Sequence, residues 1–367
     1  MREVGNSIAI DVRMASASGI GTFIRNMVPR VVSRRGCDRF VLIGHAENFD
    51  VLNVSPSPSI EFRLIHSPIY SVSQQIELPR AMSRSVDIFW SPHYDIPLFV
   101  GGKMLVTVHD VAHISQREVF DALSKRIYSR TMFNAVRFRA DAIAFMSNFT
   151  SCEFESLVGA PRGLSHVVYG GVGPEWYGVE AGPSLRDRPF ILYVGNVKPH
   201  KNLHRLLLAF DSIKDEISQD LLIVGREEGF LTGDTGIRDL SMLMGKRVDF
   251  TGYVDDRTLK RYVAQADAMV LPSLYEGFGL PPLEAMAVGC PVLVSRIASL
   301  PEVCGEAALY CDPYSVEDLA MQLRRIVSDQ SLRETLRAAG LSRVRQFTWD
   351  AAAKEYDRIL SSVLSNT

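Results

Sequence analysis

The chain has 367 residues, of which 47% are hydrophobic, and its formal net charge at pH 7 is −2. This near-neutral charge excludes a protein built to coat nucleic acid, while the length and apolar content suffice for two domains with sizeable cores. No apolar run approaches the roughly eighteen residues that a membrane-spanning helix requires. The five cysteines are scattered and the N-terminal MREVGNSIAIDVRM lacks the apolar core of a signal peptide, so we expect reduced thiols and a cytoplasmic protein.

The first half of the chain alternates short apolar runs with helical stretches. Ser7 to Val12 predicts a first buried strand, and Gly19-Ile20-Gly21 predicts a turn ahead of a helix. Further strands are predicted at Phe40–Ile43, Phe62–Ile65, Ile88–Trp90, Met104–Val108 and Ala142–Phe145. This alternation predicts a parallel sheet with helices on both faces, in which ligands bind beyond the carboxyl ends of the strands.

Histidines follow two of these predicted strands. His93 comes after the strand that ends at Trp90, and His109 with Asp110 comes after the strand that ends at Val108. A histidine at a strand end is commonly a hydrogen-bonded structural residue, so the residues alone leave the roles of these histidines and of His113 open.

Two basic stretches also lie in the first half. Gln116 to Arg139 carries Arg117, Lys125, Arg126, Arg130, Arg137 and Arg139 against Glu118 and Asp121. The second stretch contains Arg25, Arg30, Arg34, Arg35 and Arg39. A solvated helix face explains both stretches, and so does a surface for anionic lipid or a lipid diphosphate. The sequence leaves both interpretations open.

The second half restarts the alternation after a polar segment, Gly178 to Arg188, whose composition suits a linker. Strands are predicted at Phe190–Val194, Asp220–Val224 and Val248–Thr251. Lys201 precedes the helix that follows the first of these strands, where the helix dipole disfavours a cation. This placement favours an anionic partner for the lysine.

The most informative stretch runs from Leu271 to Val294, LPSLYEGFGLPPLEAMAVGCPVLV. Its pattern predicts a strand, a glycine loop and a helix N-terminus, a unit that places backbone N–H groups beside an anion. It also carries two carboxylates, Glu276 in the loop and Glu284 in the first helical turn. Carboxylates at these positions suit the hydroxyl groups of a sugar or ribose, which donate hydrogen bonds to them.

The spacing of the two glutamates within EGFGLPPLEAM resembles the signature of the retaining family-4 glycosyltransferases of GT-B fold. The runs YVGNVKPHKNLHRLLLAF and VTVHDVAH resemble the phosphate loop and the strand-end His-Asp of the same family. The resemblance implies an α/β fold with two Rossmann-like doubly wound domains facing a central cleft. It implies an acceptor-binding domain over residues 1–180, on which a C-terminal helix at 347–367 packs, and a donor-binding domain over 181–346.

The resemblance also implies residue roles. Glu276 would face the transferred sugar, His109 would touch it and Lys201 would hold the diphosphate, which makes these three the catalytic set. Asp110 would orient its neighbour His109. His200 stands where relatives often carry an arginine. Donor binding is implied for Gly19, Gly21, Gly195, Arg226, Tyr253, Gly277, Phe278, Gly279, Leu280 and Glu284, with Glu284 on the nucleotide ribose.

The activity that the resemblance implies is transfer of a hexose, in the first instance mannose from GDP-mannose, as in bacterial mannosyl- and rhamnosyltransferases of surface polysaccharide assembly. The acceptor would be a glycan or a polyprenyl-diphosphate-linked glycan, and the protein would associate peripherally with the inner face of the cytoplasmic membrane. No cofactor or metal is expected, since lysine and arginine would neutralise the diphosphate. A sugar-nucleotide epimerase or hydrolase of the same fold and a non-catalytic nucleotide-sugar-binding protein are the alternatives.

Overall fold

The computed structural model describes residues 5–82, 86–116, 123–225, 240 and 244–365. The chain divides into two compact units. Unit 1 comprises Met1–Gly171 together with Trp349–Thr367, and unit 2 comprises Val172–Thr348. Both units have the α/β architecture that the alternating pattern predicts.

The described residues of unit 1 form a seven-stranded parallel sheet flanked by helices. Its strands are β1 (Ser7–Asp11), β2 (Arg39–Gly44), β3 (Ile60–Leu64), β4 (Ile88–Ser91), β5 (Lys103–Val108), β6 (Ala142–Phe145) and β7 (Leu164–Val167). Its helices are α1 (Ile20–Arg34), α2 (Ala46–Asp50), α3 (Gln74–Ala81), α4 (Ala112–Ser115), α5 (Leu123–Arg139), α6 (Asn148–Leu157) and the C-terminal helix (Trp349–Ser365). The strand order β3-β2-β1-β4-β5-β6-β7 reverses direction between β1 and β4.

The C-terminal helix packs on unit 1 through α1 and β5. The Tyr356 hydroxyl lies 2.7 Å from Thr107 Oγ1, and Arg35 Nη1 donates to Asp357 Oδ1 over 2.7 Å. The other arginines of the first basic stretch also bind their own unit: Arg25 to the Ala15 carbonyl, Arg30 and Arg34 to Asp350, and Arg39 to Glu61. The arginines of this stretch are therefore paired within unit 1, while Arg34 and Arg39 remain exposed.

The described residues of unit 2 form a six-stranded parallel sheet of the same design. Its strands are β8 (Phe190–Val194), β9 (Asp220–Val224), β10 (Val248–Gly252), β11 (Ala268–Leu271), β12 (Val292–Ser295) and β13 (Leu309–Cys311). Its helices are α7 (Leu203–Ile213), α8 (Asp256–Gln265), α9 (Leu280–Ala287), α10 (Leu300–Cys304), α11 (Val316–Ser328) and α12 (Gln330–Arg343). The order β10-β9-β8-β11-β12-β13 reverses direction between β8 and β11.

The two units divide earlier in the chain than residue 180. Val172 pairs with Thr348 in an isolated bridge, so the first and last residues of unit 2 lie side by side. Trp176 is buried in the same unit, with the Lys260 ammonium 5.5 Å from its ring centroid. The polar segment predicted as a linker is also hydrogen-bonded into unit 2, since Gln265 Nε2 donates to the Pro183 carbonyl over 2.9 Å.

Within the part of the chain that the structure describes, no helix is both long and apolar enough to cross a membrane. All five cysteines are free thiols.

Candidate functional site

Two loops meet at the carboxyl edge of the unit 2 sheet, one after β8 and one after β11. The Leu274 N–H donates to the His200 carbonyl over 2.7 Å, and Asn202 Nδ2 donates to the Pro272 carbonyl over 2.9 Å. Because the strand order reverses between β8 and β11, this junction is the crevice in which doubly wound folds bind ligands.

The junction brings Lys201 and Glu276 together. Lys201 Nζ lies 2.7 Å from Glu276 Oε1, and Ser273 Oγ donates to the same oxygen over 2.7 Å. The two charged side chains are 20% and 11% exposed, so the pair is partly accessible to a ligand. A cation and a carboxylate thus share one small site.

The glycine loop between β11 and α9 is hydrogen-bonded to Ser299, the residue before α10. Gly279 has φ +97° at the N-cap of α9, and a Cβ there would lie 2.8 Å from Leu300 Cδ2, so only glycine fits. Ser299 Oγ donates to the carbonyls of Glu276 and Phe278 over 2.9 and 3.0 Å. These bonds fix Gly277, Phe278, Gly279 and Leu280 around the start of the helix.

Glu284 is half-buried and is the fifth residue of α9, so it lies beyond the first turn in which the sequence predicted it. Burial raises the pKa of its carboxyl from the ordinary value of 4.5 to about 7; the charge of Glu175 adds to this rise, Lys260 opposes it and Asp256 adds to it again. A carboxyl with this pKa is partly protonated at neutral pH, and donors such as ribose hydroxyls would stabilise its ionised form.

Other predicted donor-binding positions surround the same edge. Gly195 follows β8, and its carbonyl oxygen lies 2.0 Å from where a Cβ of Gly225 would stand, so the ends of β8 and β9 approach closely. Tyr253 follows β10 and is 71% exposed. Arg226, predicted to bind the diphosphate, lies outside the described residues, as do Arg117, Glu118 and Asp121 of the second basic stretch.

His109 belongs to unit 1, at the end of β5. Its Nε2 lies 2.9 Å from the Pro92 carbonyl, which can only accept, so Nε2 carries the proton and Nδ1 is left as an acceptor. Burial lowers the pKa of His109, opposed by this bond and by the charge of Asp110. Asp110 Oδ1 instead accepts the Ala112 N–H, so the Pro92 carbonyl, not Asp110, orients the imidazole.

The N-terminal glycine turn lies beside His109. Gly19 has φ +64° at the N-cap of α1, and a Cβ on Gly21 would lie 2.7 Å from the Ala15 carbonyl oxygen. Phe23, two residues further, packs edge-on against His109 with ring centroids 4.9 Å apart. The structure therefore brings the predicted glycine turn and the predicted sugar contact together within unit 1.

Sequence reasoning missed a buried polar network at the same edge of unit 1. Arg13 is bound to Asp11 over 2.6 Å and donates to Gln74 Oε1 over 2.6 Å. Gln74 Nε2 and the Tyr128 hydroxyl in turn donate to Asp95. The cavity beside Arg13 and Asp95 holds only about 10 Å³, room for at most one water molecule.

Two further side chains that the sequence did not single out belong to the unit 2 site. Ser273 stands three residues before Glu276, a spacing that could have revealed it as a partner. Glu175 reaches Glu284 electrostatically from a distant part of the chain, and no local pattern indicates this. Within the described ranges, no group of three or more His, Cys, Asp or Glu side chains is placed to hold a metal ion.

Comparison with known proteins identifies a family and relatives that this chain resembles. The family described as "Glycosyl transferases group 1" matches residues 180–343. The O-antigen chain mannosyltransferase B of Escherichia coli is 38% identical over 168 residues, which cover 44% of this chain and 42% of that protein. The serotype-specific mannosyltransferase WbdA of Escherichia coli is 29% identical over 272 residues, 70% of this chain and 33% of that protein. The chain thus spans less than half the length of these curated relatives.

Among solved structures, sucrose-phosphate synthase from Thermosynechococcus elongatus superposes with a TM-score of 0.81 at 21% identity. The superposition covers 99% of this chain and 100% of that one. At this identity the likeness concerns the fold, which is the two-domain GT-B fold that the resemblance implied.

Proposed function

We propose, since residues 180–343 belong to the glycosyl transferases of group 1, that this protein moves a hexose from a nucleotide-diphosphate sugar to a glycan or lipid-linked glycan acceptor. The proposal rests mainly on the Lys201–Glu276 pair, in which Nζ lies 2.7 Å from Oε1. The pair lies where the loops after β8 and β11 meet, at the position where the strand order of the unit 2 sheet reverses. The Lys201 ammonium suits a diphosphate, and the Glu276 carboxylate suits sugar hydroxyls.

Lys201 would stabilise the leaving diphosphate. As the bond between the sugar and the phosphate breaks, negative charge grows on the phosphate, and a fixed ammonium binds it more strongly than in the ground state. Each 1.36 kcal/mol gained in this way is about tenfold in rate. The N–H groups of Gly279 and Leu280 at the start of α9 would add to this effect, since an anion is favoured at a helix N-terminus, whereas Pro281 and Pro282 carry no N–H. With these groups in place, we propose a reaction that needs no metal.

The proposed reaction retains the anomeric configuration. The acceptor hydroxyl attacks the anomeric carbon on the face that the diphosphate leaves, and the departing phosphate oxygen takes its proton. Glu276 contacts sugar hydroxyls in this scheme and does not form a covalent intermediate. Its carboxylate would also stabilise the positive charge that develops on the sugar.

Mannose from GDP-mannose is the proposed donor, supported by the mannosyltransferases among the relatives. The test is a panel of nucleotide sugars incubated with the protein in excess EDTA, with nucleotide release and product stereochemistry followed by NMR. We expect GDP release from GDP-mannose, slow without acceptor and faster with a mannose-containing glycan. Activity that disappears in EDTA and returns with magnesium or manganese would contradict metal independence. Tight binding without any release would instead indicate a nucleotide-sugar-binding protein.

Peripheral membrane association is proposed for the first half of α5. Leu123 and Ile127 are 67% and 59% exposed, and Lys125, Arg126 and Arg130 stand beside them without an ion pair among the described residues. Apolar side chains with nearby cations suit an anionic bilayer surface.

Sedimentation with vesicles of anionic lipid tests this association. We expect binding at low ionic strength, release at high ionic strength and weaker binding for Arg130→Glu. The matched control is Arg358→Glu, the same charge change at an exposed arginine that pairs with Glu355. Equal binding of the two variants would show that α5 is an ordinary solvated helix.

A further inference from the structure

Tyr193 presents a buried hydroxyl that none of the proposed roles uses. It lies on β8, its side chain is fully buried, and its hydroxyl has no hydrogen-bond partner within the described structure. Other largely buried tyrosine hydroxyls in the protein are bonded: Tyr94 to His113, Tyr128 to Asp95, Tyr310 to Gly305 and Tyr356 to Thr107. An orphaned buried hydroxyl is unusual and calls for a reason.

The hydroxyl points toward the loop junction of unit 2. It lies 3.4 Å from where a Cβ of Gly195 would stand, so it reaches the loop that follows β8. Burial and then the charge of Glu276 raise the pKa of Tyr193, which places that carboxylate within electrostatic range of the hydroxyl. This hydroxyl without a bond thus lies at the loop that follows β8 and within electrostatic range of the proposed sugar-facing carboxylate.

The Lys201–Glu276 pair explains why a spare donor is needed there. Glu276 Oε1 accepts from both Lys201 Nζ and Ser273 Oγ, each over 2.7 Å. An anion that binds the Lys201 ammonium competes for this bond. Glu276 would then lose a donor while its side chain is only 11% exposed, and an unsatisfied carboxylate in such a place is unfavourable.

We propose that Tyr193 is a positioning residue for Glu276: its hydroxyl donates to the Glu276 carboxylate when an anionic diphosphate holds Lys201. The Lys201–Glu276 pair is then the resting state of the site, and ligand binding exchanges one donor to Glu276 for another. This inference deepens the proposed function and rests on it for the identity of the natural diphosphate. No covalent bond or proton transfer is involved.

The experiment is a near-ultraviolet titration with inorganic pyrophosphate, which does not absorb in the tyrosine region. We compare the natural protein with Tyr193→Phe, Lys201→Gln and the control Tyr310→Phe. The natural protein and Tyr310→Phe should show a ligand-induced shift of the tyrosine band to longer wavelength, because a phenol that donates to a carboxylate absorbs there. Tyr193→Phe and Lys201→Gln should lack the shift.

Thermal unfolding without ligand provides the second readout. Tyr193→Phe should leave the melting temperature unchanged or higher, because it removes a hydroxyl with no bond to lose. Tyr310→Phe should lower it, because the Tyr310 hydroxyl donates to the Gly305 carbonyl over 2.7 Å. In transfer assays, Tyr193→Phe should lower kcat about tenfold with a much smaller change in donor KM.

Two results would overturn the proposal. One is a pyrophosphate-induced tyrosine shift that is absent in the natural protein or equally present in Tyr193→Phe. The other is a melting temperature for Tyr193→Phe that falls as far as that of Tyr310→Phe, which would reveal a bonded hydroxyl. Pyrophosphate carries neither sugar nor nucleobase, so these outcomes do not depend on which donor the protein uses. If the proposed donor is wrong, the natural protein will fail to transfer sugar from it, and the tyrosine titration will be unaffected.

Discussion

The two units have the same parallel-sheet architecture, but the ion pair at the carboxyl edge of the sheet is buried in unit 1 and partly exposed in unit 2. In unit 1, Arg13 is 4% exposed and is bound by Asp11 and Gln74, so the edge beside it is closed. In unit 2, Lys201 is 20% exposed and pairs with Glu276, and the Tyr193 hydroxyl has no bond in the described structure. One edge is internally satisfied, and the other has groups that a ligand can engage.

This difference shows that the switch point of a doubly wound sheet is not by itself a binding site. Both sheets reverse direction next to their first strand, and both place charged groups there. What distinguishes unit 2 is that the cation of its ion pair, Lys201, is partly exposed, whereas Arg13 is buried. A diphosphate and a sugar can replace the contacts of the unit 2 pair, whereas replacing the Arg13 contacts would leave buried charges without partners.

The comparison predicts that Arg13 matters mainly for folding. Arg13→Gln should lower the free energy of unfolding by about 3–5 kcal/mol, because it leaves Asp11 buried without its cation. Urea unfolding measures this change. Arg358→Gln, at an exposed pair, is the control and should stay within about 0.5 kcal/mol. Equal effects of the two variants would remove the distinction drawn between the units.

Lys201 should matter mainly for the reaction. Lys201→Gln should lower kcat/KM about a hundred- to a thousandfold, the usual cost of removing one group that stabilises the charge of a transition state. Its free energy of unfolding should fall far less than that of Arg13→Gln, because the Lys201 side chain is partly exposed and Ser273 Oγ still donates to Glu276. Lys198→Gln, at an exposed position in the same loop, is the kinetic control and should retain activity. A Lys201 variant that unfolds as easily as the Arg13 variant would indicate a structural lysine.

Much of this account could be predicted from the sequence, because local patterns carry it. The strand at Ala142–Phe145 and the one at Phe190–Val194 lie where the apolar runs predict them. The comparisons confirm the fold, and residues 180–343 match the glycosyl transferases of group 1. The roles of Glu276, Glu284, Lys201 and His109 stay predictions.

What the sequence could not predict depends on contacts between distant residues. Gln74 meets Arg13 across 61 positions and Glu175 affects Glu284 across more than a hundred, so no periodicity or spacing indicates either contact. The arginines between Arg25 and Arg39 form a basic stretch in the sequence, yet several of them bind the C-terminal helix, which lies more than three hundred residues away. Tyr193 looks like an ordinary strand residue until its hydroxyl is seen to lack a partner.

The pKa of Glu284 predicts how the stability of the protein changes with pH. Its folded pKa of about 7 exceeds the ordinary 4.5, so the folded protein holds the proton more tightly and its stability falls as pH rises from about 4.5 to 7. Glu284→Gln should remove this loss. Without ligand, the variant should gain on the order of 2 kcal/mol relative to the natural protein between pH 5 and pH 8. A constant difference between the two proteins in thermal unfolding across this range would contradict the account.

The charged neighbours of Glu284 provide matched variants for donor binding. Ribose hydroxyls need the ionised carboxylate, so donor affinity should weaken as pH falls through about 7. Glu175→Gln should move this midpoint to lower pH, and Lys260→Gln should move it to higher pH. On α12, which packs against α9, Arg337 lies near Cys290 and Arg343 binds the carbonyls of Glu302 and Val303, so neither compensates Glu284. Calorimetric titrations with the donor at several pH values measure the midpoints.

The most direct test of the central claim, that Glu276 faces the sugar and is held by Lys201 only until the diphosphate arrives, is Glu276→Gln. Donor Kd by calorimetry and kcat at saturating donor are measured on the same preparation. The account predicts a kcat at least about tenfold lower with donor Kd unchanged or tighter, because Lys201 no longer has a carboxylate competing for it. A weaker donor Kd with unchanged kcat would contradict the account.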